Sequence, residues 1–370
     1  MSQNRVHIIF TGGTIAMRTN AEGQLVPANS GDELIAAIPD LARFTLSTQQ
    51  LCNVASAHLT SEIWLQLRQA IISACADDAI SGVVVVQGTD TLEETAFFLD
   101  ASLSNQQLQH KPVILTGAMR SADEEGGDGP SNLRNAILTA ASTEARDRGA
   151  MVGMYGRLHA ARHVRKLHTT RTDAFGSLEH EILGEIGAFN AAANTTPNNS
   201  ADTTGFNANH ALPQVQFHSQ AQRFTPSVDL PDSLYSALRQ GGSELPRVDI
   251  VSAHISCDSL FIDTSIKNGA AAIVIQALGA GNVNPNISAA IERALNQGVA
   301  VIIASRSHLG EAEPVYGYVG GGQSLVKKGA VMSHDLPAHK ARIYAQLLLA
   351  QAGSTAQPIQ TIRNGFDRLR

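Results

Sequence analysis

Short apolar runs without polar alternation recur along the chain, and each is followed by a stretch whose apolar positions repeat at helical spacing. Val6–Phe10 precedes Asp32–Ile38, Val83–Val86 precedes Leu92–Leu99, and Val113–Leu115 precedes Asn132–Ala141. Such runs suit strands covered on both faces, and strands spaced by helices imply parallel neighbours. The rhythm returns in Val248–Val251, Ala271–Ile275 and Val299–Ile303, with helices expected over Ser288–Gln297 and Pro337–Gln351. The pattern predicts an α/β fold, with a doubly wound, mainly parallel sheet in the N-terminal domain and a smaller α/β C-terminal domain.

Between these halves the chain changes character. Ala191–Ala211 is rich in Asn, Thr and Ala and offers little to fill a core, so it reads as a mobile insertion. The expected division is residues 1–190, a linker over 191–244 that carries the insertion, and residues 245–370. A length of 370 residues exceeds the size at which single cores usually stop growing, which fits two domains.

Composition narrows the function classes. With 43% hydrophobic residues, 16% charged residues and 31 glycines, the chain reads as a soluble globular protein. Its net charge is −6 and its acidic and basic residues are interspersed, so nothing resembles the basic stripe that phosphate backbones require. Neither nucleic acid nor an anionic membrane surface is expected as a partner. Cys52, Cys75 and Cys257 are far apart and form no CxxC pair, which argues against a disulfide framework and a zinc ribbon. They read as small buried hydrophobes. The segment Met1–Phe10 is too short for the apolar region of a signal peptide, and no run approaches the roughly 18 apolar residues of a membrane span. A cytoplasmic location is the expectation.

In open parallel sheets ligands bind beyond the carboxyl ends of the strands. The first predicted strand ends in Thr11-Gly12-Gly13-Thr14, where glycines let the backbone approach a ligand closely. Neither phosphate-loop pattern is present. The second ends in Gln87-Gly88-Thr89-Asp90-Thr91, followed by Glu93-Glu94-Thr95. Thr91 and Glu94 have the spacing of a capping box, and Asp90 can serve either a helix N-terminus or a bound ammonium group. The third ends in Thr116-Gly117-Ala118-Met119-Arg120. Three strands thus deliver Thr-Gly elements to one sheet edge, and their coincidence says more than any one of them.

A threonine hydroxyl is a weak nucleophile unless a base activates it. Lys166 and the histidines are the candidate activators, since a desolvated lysine can accept a proton, although an isolated lysine is ordinarily a solvated surface group. His159, His163 and His168 invite a metal reading, but there is no HExxH and four cationic residues, Arg157, Arg162, Arg165 and Lys166, stand among them. Local hydrogen bonding or surface exposure is the simpler reading, and no metal is expected.

The residues taken together resemble the asparaginase/glutaminase family of bacterial type. Thr11-Gly12-Gly13-Thr14-Ile15-Ala16 and Gly88-Thr89-Asp90-Thr91 with Glu93-Glu94-Thr95-Ala96 look like its two signature motifs. Gly117-Ala118-Met119-Arg120, Asp128-Gly129-Pro130 with Asn132, and Gly279-Ala280-Gly281-Asn282 resemble further family segments in the same order. The resemblance implies hydrolysis of a side-chain amide through a threonine acyl-enzyme, without cofactor. It implies that Thr14 is the nucleophile and Thr89 the second catalytic threonine, that Lys166 hydrogen-bonds to the latter, and that Asp90 binds the substrate α-ammonium. Ser56 would receive the α-carboxylate, with Gly88 beside it, and a homodimer or homotetramer is the implied assembly.

Three departures bear on this. The lid stretch Met17–Ser30 has no tyrosine to assist the first threonine, position 57 is Ala, and position 87 is Gln where His is common. Either Glu22 or a water would then serve Thr14, or Lys166 would serve both threonines through Thr89. L-asparagine is the expected substrate. L-glutamine, a D-amino acid or another small ω-amide are alternatives with the same chemistry, and a degenerate amino-acid-binding protein is the alternative from another class.

Overall fold

The computed structural model describes residues 5–13, 15, 17–19, 22, 25–27, 31–36, 38, 41, 44–121, 124–187, 214–218, 228–239, 245–353 and 357–369. Thr14, Gln24 and the Asn/Thr-rich stretch 191–211 lie outside the described residues.

Strand β1 (Arg5–Phe10) is followed by the paired strands β2 (Met17–Thr19) and β3 (Leu25–Pro27), helix α1 (Gly31–Ala36) and strand β4 (Thr45–Gln50). Then come α2 (Ser61–Cys75), β5 (Ile80–Val86), α3 (Leu92–Ser102), β6 (Val113–Thr116), α4 (Gly129–Ala141) and β7 (Ala150–Met154). Strand β8 (Arg157–Ala160) turns back on β7, and a separate ribbon pairs β9 (Arg165–Lys166) with β10 (Phe175–Gly176). Strands β11 (Gly184–Gly187) and β12 (Gln214–Phe217) complete the first sheet, and α5 (Asp232–Arg239) follows.

That sheet has 8 strands in the order β12-β11-β8-β7-β6-β5-β1-β4. The run β4-β1-β5-β6-β7 is parallel, and β8, β11 and β12 extend it with antiparallel pairs. The parallel part follows from the apolar runs. Val83 and Val85 join the core on one face, while Val84 and Val86 join the core on the other, so no position is left for polar alternation. The antiparallel extension is not visible as a pattern, because β8 and β11 have 4 residues each and neither is a continuous apolar run.

The second unit contains β13 (Val248–Ser252), α6 (Leu260–Lys267), β14 (Ala272–Ala277), α7 (Pro285–Asn296), β15 (Ala300–Ser305), α8 (Gly322–Lys328), β16 (Val331–Met332), α9 (Ala338–Ala352) and α10 (Pro358–Phe366). Its sheet has 4 parallel strands in the order β13-β14-β15-β16. One face packs against α9, which also packs against α3 of the first unit. A single apolar core therefore runs from Val83 and Phe97 through Tyr344 and Leu348 to Val274 and Ile302.

Strand order places the site. The chain leaving β1 reaches β4 on one side, whereas the chain leaving β5 proceeds through α3 to β6 on the other. The carboxyl ends of β1 and β5 therefore flank a point where the winding reverses, which is where open α/β sheets form a ligand crevice.

Candidate active site

The loop after β1 is built around two glycines at which an added Cβ would be strained and crowded. Gly12 and Gly13 have φ of +109° and +103°, in the region that side chains disfavour. A Cβ on Gly13 would fall 2.2 Å from Gly88 N, and one on Gly12 would fall 2.6 Å from the Val54 carbonyl. The loops after β1 and β5 thus lie backbone to backbone, and the loop around Val54 closes over the first. Thr11 anchors the arrangement through Thr11 N and Oγ1, which donate to the Val86 carbonyl at 3.0 and 3.2 Å, while Val54 N donates to the Thr11 carbonyl at 3.0 Å.

After β5, Thr89–Thr91 form one turn of 3-10 helix that leads into α3. Ser56 sits against this turn and is 5% exposed. Its Oγ accepts the Asp90 N–H at 3.2 Å, and a Cβ on Gly88 would lie 2.9 Å from that oxygen. Thr91 has no capping hydrogen bond at the start of α3. Its hydroxyl donates instead to the Ser56 carbonyl at 3.0 Å, so the capping-box expectation for Thr91 and Glu94 gives way to a tie between two site loops. Beneath it, Gln87 Nε2 lies 3.3 Å from Thr91 Oγ1.

The loop after β6 supports the floor. A Cβ on Gly117 would meet the Gln87 carbonyl at 2.4 Å, so this backbone also packs against the β5 loop. The Asp128 carboxylate accepts the N–H groups of Met119 and Arg120 at 3.0 Å, and Asn132 Nδ2 donates to the Gly117 carbonyl at 3.0 Å. The motif residues Asp128 and Asn132 therefore act as struts. Sequence alone does not separate them from residues that carry chemistry.

Lys166 enters from the ribbon. Its Nζ donates to Thr89 Oγ1 at 2.9 Å and to Asp90 Oδ1 at 2.6 Å, and its backbone N–H donates to Glu93 Oε2 at 3.2 Å. The lysine side chain is 14% exposed, against 69% for that of Asp90, so a sheltered amine meets a carboxylate open to solvent. Glu93 lies behind them. Burial pushes its carboxyl above the usual range, opposed by the charges of Lys340, Arg165 and Lys166. Of the residues expected at the site, Ser56, Gly88, Thr89, Asp90 and Lys166 come together around one crevice, and Glu22 is exposed.

The histidines divide. His159 is buried, with Nδ1 2.8 Å from Ser177 Oγ, and burial together with the Arg157 charge lowers its pKa to about 4. His168 is exposed and accepts the N–H groups of Thr170 and Arg171 at 3.1 Å. His163 stacks on His180 with ring centroids 3.6 Å apart, and both stand near Asp335 in a grouping of potential metal ligands. Arg162 engages both oxygens of Asp335, at 2.7 and 2.6 Å, so the carboxylate of this grouping already holds a cation, and the two rings lie within 9° of parallel.

The switch point of a doubly wound sheet thus brings together a threonine hydroxyl, a sheltered lysine amine and an exposed carboxylate. A family model described as "Asparaginase, N-terminal" matches residues 5–199, and one described as "Glutaminase/Asparaginase C-terminal domain" matches residues 247–362. The chain belongs to the asparaginase family. It is 33% identical over 349 residues to the L-asparaginase of Bacillus licheniformis, covering 94% of this chain and 95% of that one. It is 34% identical over 360 residues to a probable L-asparaginase of Deinococcus radiodurans, covering 97% and 96%. A crystal structure of a probable cytoplasmic L-asparaginase from Campylobacter jejuni superposes with a TM-score of 0.77 at 29% identity, covering 98% of this chain and 99% of that one.

Sequence reasoning missed Lys340. It lies on α9 at the spacing of Ile343, Tyr344 and Leu347, all buried, so a lysine on an apolar helix stripe was the available signal.

Proposed function

We propose that this protein is an amidohydrolase that converts L-asparagine to L-aspartate and ammonia through a threonine acyl-enzyme. The observation that carries the reading is the contact of Lys166 Nζ with both Thr89 Oγ1 and Asp90 Oδ1, at 2.9 and 2.6 Å, at the switch point of the sheet. In this reading the Thr14 hydroxyl attacks the amide carbon, ammonia departs with the proton, and water then cleaves the ester to release the acid. Thr89 and Lys166 relay protons in both halves, a role that general acid–base catalysis values at roughly 10²–10⁴ in rate. Asp90, whose carboxylate is exposed, takes the substrate ammonium, which competes with Lys166 for it. Ser56 takes the α-carboxylate through its hydroxyl and the donors around Gly88.

Cytoplasmic location and symmetric assembly belong to the same proposal. Among the described residues no helix is long and apolar enough to cross a membrane. Ile255, Leu260 and Phe261 are 89%, 61% and 65% exposed, an apolar surface that suits a second copy of the chain. A catalytic domain over 1–190, a linker over 191–244 and a second domain over 245–370 remain the proposed division, with β12 and α5 falling inside the middle interval.

The test is ammonia release from L-asparagine, L-glutamine, D-asparagine and other small ω-amides. L-asparagine should give the highest kcat/KM, and Thr14→Ala, Thr89→Val and Lys166→Met should each lower kcat by about 10²-fold or more. Binding of the amides without turnover would show the degenerate alternative. Retention of a tenth of the activity by a correctly folded variant would remove that residue from the mechanism.

A further inference from the structure

A helix of the second unit delivers a cation into the first. Lys340, in the first turn of α9, is fully buried, and its Nζ donates to the carbonyls of Ala161 at 2.9 Å, Arg162 at 2.9 Å and Val164 at 2.6 Å. A lysine ammonium has three N–H donors and no acceptor, so these three carbonyls use it completely. All three belong to the turn between β8 and β9, just ahead of Lys166.

The neighbouring residues reach the same place from the other side. His339 Nε2 stands 3.5 Å from Glu93 Oε1, and Arg165 Nε stands 3.6 Å from Glu93 Oε2. Glu93 Oε2 is also the acceptor of the Lys166 N–H at 3.2 Å. The backbone that carries Lys166 is therefore gripped by Lys340 before it and by Glu93 at it. The 5.9 Å approach of Lys340 Nζ to the Phe97 ring adds a face of α3 to the same pocket.

This segment has need of such a grip. Strand β9 has 2 residues and, among the described residues, pairs with the equally short β10 alone, a ribbon too small to hold its own place. A buried ammonium is an expensive way to fill space, and well-packed apolar residues do as well where stability alone is at stake. What an ammonium adds is direction: three carbonyls must point at one nitrogen.

We propose that Lys340 is a positioning residue for Lys166, gathering the carbonyls of Ala161, Arg162 and Val164 so that Lys166 Nζ is set beside Thr89 and Asp90. The inference rests on the role proposed above for Lys166 and goes beyond it. The C-terminal unit then takes part in catalysis through a side chain that touches no substrate.

The experiment is a double-mutant cycle in the full-length protein. Lys340→Met, Lys166→Met and the double variant are assayed for ammonia release with the best amide of the panel, with Lys340→Arg as the conservative variant and circular dichroism as the check on folding. Lys340→Met should fold and lose about 10²-fold in kcat, the scale of a misplaced catalytic group, with KM within about threefold. Lys340→Arg, which can still donate to several carbonyls, should recover part of the loss. In the Lys166→Met background, Lys340→Met should have no further effect on the residual rate, because a residue that acts through Lys166 has nothing left to position. A folded Lys340→Met with full kcat, or the same loss in both backgrounds, overturns the inference. So does failure of both Lys340 variants to fold, which makes the residue structural only. Full turnover by Lys166→Met alone would instead strike the role of Lys166, and the inference would fall with its premise.

Discussion

His159 provides a prediction that tests what burial does to a titrating ring. Its ring is 1% exposed, Nδ1 is engaged by Ser177, and burial with the Arg157 charge moves its pKa from 6.5 to about 4. Above pH 6.5 the folded and unfolded chains are both neutral at this residue, so it adds no pH dependence there. Between pH 6.5 and 4 the unfolded chain holds a proton that the folded chain refuses, and stability falls as the pH drops. The difference between the two values, at 1.36 kcal/mol per unit, comes to about 3 kcal/mol, a large part of the ~5–15 kcal/mol typical of folded domains. His159→Gln keeps a polar group near Ser177 and removes the titration. Urea unfolding at steps from pH 7 to 4, at constant ionic strength, should show the wild type losing about 3 kcal/mol more than the variant. Parallel curves for the two proteins would refute the reasoning. His163 and His339, lowered to about 4 and about 3 chiefly by burial, act in the same direction, so acid should unfold this protein early.

Other expectations follow from single contacts. Gly13→Ala places a Cβ 2.2 Å from Gly88 N at a φ of +103°, and should lower stability by at least about 3 kcal/mol and abolish turnover, read by melting and ammonia release. Thr91→Val removes the hydroxyl that holds the Ser56 carbonyl, and should raise KM about tenfold while kcat stays within about threefold in steady-state assays. Arg68 is buried, with Nε and Nη2 donating to the Ser102 carbonyl at 3.0 and 2.8 Å and Nη1 donating to the Tyr235 hydroxyl; Arg68→Met should cost about 3 kcal/mol in urea unfolding. Chelators should leave the rate unchanged, and a loss that zinc restores would bring the histidine grouping back as a metal site.

The uninterrupted apolar runs were sufficient to reveal six of the parallel strands, β1, β5, β6, β13, β14 and β15, and with them the two larger sheets, because a strand covered on both faces is apolar at nearly every position. Gly12 and Gly13 were legible for a related local reason, since a backbone that leaves a strand and must touch another loop needs residues without a Cβ. Strands β8, β11 and β12 were not legible, as each has 4 residues and none is a continuous apolar run. The sequence marked Thr89, Asp90, Ser56 and Lys166 as candidates through their resemblance to family motifs, yet nothing local told the cap from the tie at Thr91 or the strut from the chemistry at Asp128 and Asn132. Those distinctions arise from contacts between residues far apart in the chain, such as Lys166 with Thr89 and Lys340 with Val164, separated by 77 and 176 positions. Periodicity is written by which face of an element is covered, and that is a local property of the chain. Which loop meets which is decided by strand order and by the packing of α9 on α3, and only the tertiary structure supplies these.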